Sequence, residues 1–229
     1  MRLILRTVLA ALVGAGCLIA VSPAQAARTD GGIVDASKRV AGFTAGELLG
    51  EDFRQLMEIP FDAQFPGSGC LWAGHNNKVL MVWTADPATI CTVKPGTPVF
   101  FWAYAVECSA VEPPPFFGET EEEQQQCALD FIAANPATAI LVGLDGEPPI
   151  NIAAERFLAI SPQLTVDLAD PNFVGAPGGQ RTTFAVAGYQ AMIRPLSPGS
   201  HTITVTHLDG PFAGLVQHAV VNVVPGHKN

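Results

Sequence analysis

The spacing of apolar and polar positions divides the chain into a helical opening, a mixed middle and a β-rich remainder. Leu49, Phe53, Leu56 and Met57 recur at helical intervals behind Thr44-Ala45-Gly46-Glu47. That tetrapeptide has capping-box spacing: a threonine oxygen for an orphan N–H, and a glutamate three residues on to reach back. The pattern predicts an amphipathic helix over 45–58, stopped before Pro60. After an irregular stretch over 61–69, residues 71–74 and 78–84 read as strands around the polar reversal His75-Asn76-Asn77, and Asp86-Pro87 ends the run.

Lys94-Pro95-Gly96 marks another turn, and 98–106 is apolar on both faces, as expected of a central strand covered on both sides. Pro113-Pro114-Pro115 is stiff, polyproline-like chain. Thr120-Glu121-Glu122-Glu123 is a second capping box, with acids placed to complement a helix N-terminus. This helix, over 120–134, should bury Cys127, Ala128, Phe131 and Ile132 and end at Asn135-Pro136.

From Ala137 onward the pattern is almost all β. Strands over 139–144 and 149–153 flank Asp145-Gly146, a hairpin dipeptide. Further strands are expected over 157–160, 164–168, 183–186, 188–194, 201–207 and 216–224. Residues 170–180 form a loop too long for a simple connection, and therefore mobile or functional. The fold class expected is α+β, mostly β: an antiparallel β-sandwich-like domain with two packed helices, about 45–58 and 120–134.

The N-terminus changes where such a domain is placed. Arg2 and Arg6 precede an apolar run from Val8 to Val21 that closes Ser22-Pro23-Ala24-Gln25-Ala26. This is the pattern of a Sec-type signal peptide over 1–26, cleaved near Ala26, which implies a secreted or periplasmic protein. The run is short for a membrane anchor, and no later run is long enough to cross a bilayer. Residues 27–42 are small, polar and glycine-containing and read as a flexible leader, leaving 43–229 as a single β-rich domain. Removing 26 of the 229 residues leaves ten basic against 21 acidic side chains, a net charge of −11. Phosphate binding needs clustered Lys and Arg, so no nucleic-acid partner is expected.

Four cysteines remain in the exported chain: Cys70, Cys91, Cys108 and Cys127. An even number outside the cytosol reads as two disulfides, for which three pairings exist. Cys70–Cys91 and Cys108–Cys127 are favoured because each closes a short loop containing an obvious reversal. Each bond would stabilise by about 3 kcal/mol in the chain-entropy model. A zinc site would want a Cys-x-x-Cys spacing that the chain lacks.

Several blocks together resemble a family of exported bacterial proteins usually labelled only "signal protein". They are Phe43-Thr-Ala-Gly-Glu-Leu-Leu-Gly through Pro60, Cys91-Thr-Val-Lys-Pro-Gly, Pro113-Pro-Pro-Phe-Phe-Gly-Glu-Thr-Glu-Glu-Glu, and Gly188-Tyr through Pro195-Leu-Ser-Pro-Gly-Ser-His-Thr-Ile203. The resemblance spans nearly all of the exported chain. It implies a secreted, disulfide-bearing, β-rich fold and no activity. Members carry tryptophans in the first helix where this chain has Phe53 and Leu56.

Catalytic signatures are absent: there is no Gly-x-Ser-x-Gly, His-Glu-x-x-His, phosphate loop or EF-hand loop. Ser68 in Gly67-Ser68-Gly69 fits turn chemistry better than a nucleophile. His201 and His207 share a strand face by period two, and His218 on a later strand is the third weak metal nominee. Glu107 with Glu112, and Asp167 with Asp170, are the carboxylate pairs a hydrolase would draw on. Among the aromatics that could stack on a ligand, Phe116, Phe117 and Trp72 are the binding nominees, with His75 at the polar reversal. The reading is an extracellular binding or interaction protein, without cofactor, whose partner is an extracellular ligand or protein. A secreted carboxylate-based hydrolase is the alternative, and a structural envelope protein the third.

Overall fold

A computed structural model describes residues 32–62, 66–85 and 87–225. The signal-peptide segment, residues 27–31 of the leader and Asp86 lie outside the described residues. Two sheets pack face to face. The first is built from β1 (Ile33–Val34), β2 (Cys70–Ala73), β3 (Val79–Val82), β5 (Val99–Ser109) and β10 (Arg181–Ile193) in the order β1-β10-β5-β3-β2. On β10, the short strands β8 (Leu158–Ile160) and β9 (Leu164–Asp167) continue the β1 side. The second sheet runs β4 (Thr89–Val93), β12 (Val216–Val223), β11 (Gly199–His207), β6 (Ile140–Leu144), β7 (Ile150–Asn151).

Helix α1 (Ala45–Met57) covers the outer face of the first sheet, and α2 (Glu121–Ala134) packs on the inner face beside the second sheet. Both helices begin at the capping boxes read from the sequence, on Thr44 with Glu47 and on Thr120 with Glu123. The side chains of α1 explain its seat: Leu48, Leu49, Leu56 and Met57 are fully buried. At Gly46, an added Cβ would sit 2.0 Å from the Ile160 carbonyl oxygen, so the backbone there rests directly on β8. On α2 only Gln124, Ala128 and Ile132 are buried; Cys127 and Phe131, expected in the core, are half-buried.

Strand β5 is the central strand that its two-faced apolar pattern predicts. Phe100 belongs to the core under α1, and Phe101 to the core between the sheets. Disulfide Cys70–Cys91 joins β2 to β4 and so ties the two sheets together; Cys108–Cys127 ties β5 to α2. Two expectations are corrected. The leader does not stay loose throughout, because Ile33 and Val34 pair with Ile193 and Met192 and are buried. Residues 183–194 are not two strands: β10 runs unbroken through Gly188, whose added Cβ would lie 2.5 Å from that of Ala105. Glycine there serves close approach rather than a turn.

Candidate functional site

The site arises where β5 loses its neighbour. Strand β3 pairs only with Val99 and Phe100, and Phe117 bridges Ser109 at the far end. Between them, among the described residues, no strand covers that edge of β5. A groove of about 490 Å³ opens there, within the size range of small-molecule sites. Phe53 of α1, Trp83, Trp102 and Phe173 form one wall; Tyr104, Phe116, Phe131 and Phe212 form the other.

The rings brace one another. Phe53 lies 5.0 Å from Trp102 and 5.9 Å from Phe173, and Trp83 meets Trp102 edge-on at 5.1 Å. Across the groove Phe116 packs on Phe131 at 5.1 Å, and Tyr104 meets Phe212 edge-on at 5.8 Å. The Tyr104 hydroxyl donates to the Asn135 carbonyl at the end of α2. Asp52 of α1 is buried and accepts from Trp102 Nε1 at 2.8 Å. Burial pushes its carboxyl up to about 7, with the indole N–H pulling in the opposite direction.

A bulge determines what else faces the groove. Tyr189 pairs with Tyr104 while Gln190 pairs with Trp102, so Ala103 is an extra residue on β5. Trp102 and Ala105 therefore both lie on the α1 side, and Tyr104 and Val106 on the other. Period two then sets Glu107 on the face of Trp102 and Ala105. Glu107 and Glu112 are both buried and both line the groove. Glu112 lies beside Glu107 and accepts from the Ser109 hydroxyl at 2.9 Å. Burial, then the neighbouring Glu112, raise the Glu107 pKa well above the ordinary carboxylate range. Its Oε2 is buried with no partner.

The sequence nominees separate. Phe116 is in the groove. Phe117, 42% exposed, lines a separate depression of about 840 Å³ with Glu119, Glu123 and Asp130 along α2. Trp72 and His75 line another beside α1, where Arg54 pairs with Glu51 and Glu58 and Gln55 bonds the Trp72 carbonyl. Among the described residues neither depression holds a buried polar side-chain atom without a partner, whereas the aromatic groove holds a buried carboxyl oxygen that has none; that difference selects the groove.

Of the carboxylate pairs, Glu107 with Glu112 forms a real pair. Asp170 is exposed, and Asp167 makes a surface ion pair with Arg181 at 3.2 Å. Ser68 Oγ accepts from the Cys70 N–H, which is turn chemistry. The three histidines do not share a face. The register Thr204↔His218 sets His218 beside Thr204, while His207 is buried on the inner face against Phe212. His201 Nδ1 lies 2.7 Å from Asp145 and Nε2 2.8 Å from the Ser197 carbonyl, closing the turn before β11. Among the described residues no cluster of three or more His, Cys, Asp or Glu could hold a metal ion.

Phe53, Phe173 and Phe212 join the groove although none of them was a binding nominee. Phe173 comes from the long 170–180 loop. That loop is shaped by buried Asn172, which donates to the Ala169 and Ala176 carbonyls and accepts from the Ala176 N–H. The long loop is thus part of the site, which its length alone left open.

Fold and site together define a disulfide-linked, β-rich protein with an aromatic groove over an acid pair. Its disulfides fit an extracellular or periplasmic setting, and no helix among the described residues is long and apolar enough to cross a membrane. Comparison of the chain with protein-family models, with curated proteins and with solved structures returns no match.

Proposed function

We propose that the protein is an exported, non-enzymatic binding protein whose ligand lies in the groove between Trp102 and Phe116. One observation carries this reading: eight aromatic rings from α1, β5, α2 and four loops converge on a single open groove. Rings held on separate elements present rigid apolar faces at little entropic cost, which suits capture of a small ligand. Export follows from the N-terminal pattern and is supported by the two disulfides.

Trp83 and Trp102 stand in the groove and Trp72 stands outside it, so intrinsic fluorescence reports occupancy. Titration with amines, cyclic apolar compounds, oligosaccharides and short peptides should give a saturable change with one class. That class should also raise Tm, by about 2.7 kcal/mol of added stability at a hundred times Kd. Phe173→Ala should weaken both responses. A panel that leaves fluorescence and Tm unmoved counts against a small-ligand site.

A second reading, hydrolysis, is favoured by the acid pair facing the same groove. Glycosidase carboxylates stand about 5 Å or more apart, whereas Glu112 is close enough to Glu107 to help raise its pKa. This pair is closer in kind to two acids sharing one proton. Turnover of any glycan or peptide that is abolished by Glu112→Gln would establish this reading over the first.

A further inference from the structure

Building on the binding reading, we propose that the groove takes a small primary amine carrying a ring, its ammonium group hydrogen-bonded to Glu107 Oε2 and its ring stacked against the Trp102 wall. Three observations converge on this ligand chemistry. Glu107 is only 7% exposed, lines the groove, and has a buried Oε2 without any donor. An unpaired buried acceptor is costly, and a charged N–H donor relieves that cost better than a neutral one. The residues lining the groove include no Lys, Arg or His, so nothing in it competes for the acid pair. Finally, the rings of Trp102 and Phe53 line the groove, and aromatic faces attract a cation.

The groups around Glu107 fix the protonation change. Glu112 lies beside it, Tyr104 lies on the facing wall, Asp52 sits behind Trp102, and His207 stands behind Phe212. Two buried carboxyls in contact hold a proton between them in the empty protein. When the ammonium arrives as R–NH3+, that proton leaves to solvent. The ammonium thus takes the proton's place: one cation now stands against two carboxylates, and the site keeps the same single net negative charge that the proton-sharing pair carried. Binding should therefore tighten as pH rises, until the amine itself deprotonates. A primary amine is preferred over a quaternary one because only the former offers an N–H to Oε2.

The test is isothermal titration of the full chain, both disulfides formed, with phenethylammonium and with its neutral counterpart 2-phenylethanol. Two buffers of different ionisation enthalpy at one pH measure the released proton. Phenethylammonium should bind at least about tenfold tighter than the alcohol, with net proton release, and Glu107→Gln should remove both the preference and the release. Phe173→Ala should weaken amine and alcohol alike, which separates the stacking wall from the acid. Equal binding of amine and alcohol, insensitive to Glu107→Gln, would overturn the amine inference and leave the binding groove standing. Failure of both probes to bind or to move the Trp102 fluorescence would overturn the amine inference and count against the small-ligand reading together.

Discussion

Helices α1 and α2 open on the same device, a threonine that accepts from the third backbone N–H while a glutamate returns the bond, yet different forces hold them. Helix α1 buries four large aliphatic side chains to completion and lays two glycines against its neighbours. Helix α2 exposes most of its surface, buries Gln124, whose amide donates to the Gly118 and Thr183 carbonyls, and is tied to β5 by Cys108–Cys127. A cap sets where a helix begins; it does not say what keeps the helix in place. The groove lies between these two regimes, with Phe53 from α1 and Phe131 from α2 on opposite walls.

The largest expected effect tests the apolar side of this contrast. Leu49→Ala should cost about 2–5 kcal/mol in urea denaturation, the range for emptying a fully buried leucine site. Ile132→Ala on α2 should cost less, since that residue stands at a thinner interface. Equal losses would place both helices on the same footing and remove the contrast.

Next in size is the covalent tie. Replacing Cys108 and Cys127 together by serine should cost about 3 kcal/mol. Amides of α2 should then exchange with solvent before those of α1. Uniform loss of protection over both helices would mean that α2 is held by packing after all.

The third test uses pH, where the helices carry opposite signs. Asp52 of α1 has a folded pKa raised to about 7 from 3.8. An acid raised on folding keeps its proton in the native state after the unfolded chain has lost it. Its contribution is therefore greatest below the unfolded pKa, and stability falls as pH rises from about 4 to about 7. Glu123 at the start of α2 is lowered by the Glu119 and Thr120 backbone N–H groups; its contribution is present at neutral pH and is lost on acidification below the unfolded value. Asp52→Asn keeps an acceptor for Trp102 and should flatten the decline toward pH 7 while leaving the acid limb intact. An unchanged decline would assign it to Glu107 instead.

What the sequence discloses follows the range of the forces involved. Both caps, the 71–84 hairpin, the central strand and both disulfide pairings depend on neighbours close in the chain, and all are readable from spacing. The pairing of Ile33–Val34 with β10 is invisible because two apolar residues in a polar leader carry no period. The parallel pairings of β3 with β5 and of β4 with β12 depend on a register that no local signal sets. Part of the site was legible: Phe116 and the Glu107–Glu112 pair were candidates. Phe53, Phe173 and Phe212 were not, since a helix, a long loop and a turn meet there only after the sheets have formed.

The extra residue at Ala103 also acts as a phase slip in a strand with a two-beat rhythm. Everything after it in β5, including Glu107, Cys108 and Ser109, owes its side of the sheet to that single insertion. Deleting one residue there would exchange inside and outside for the whole downstream half of the strand. It would turn the acid toward α2 and the cysteine away from Cys127 in one step. Side-chain changes at position 103 leave the count intact. Groove and disulfide are therefore inherited together through the length of β5, and a lineage could tune the ligand by substitution while being unable to lose one residue here without losing both.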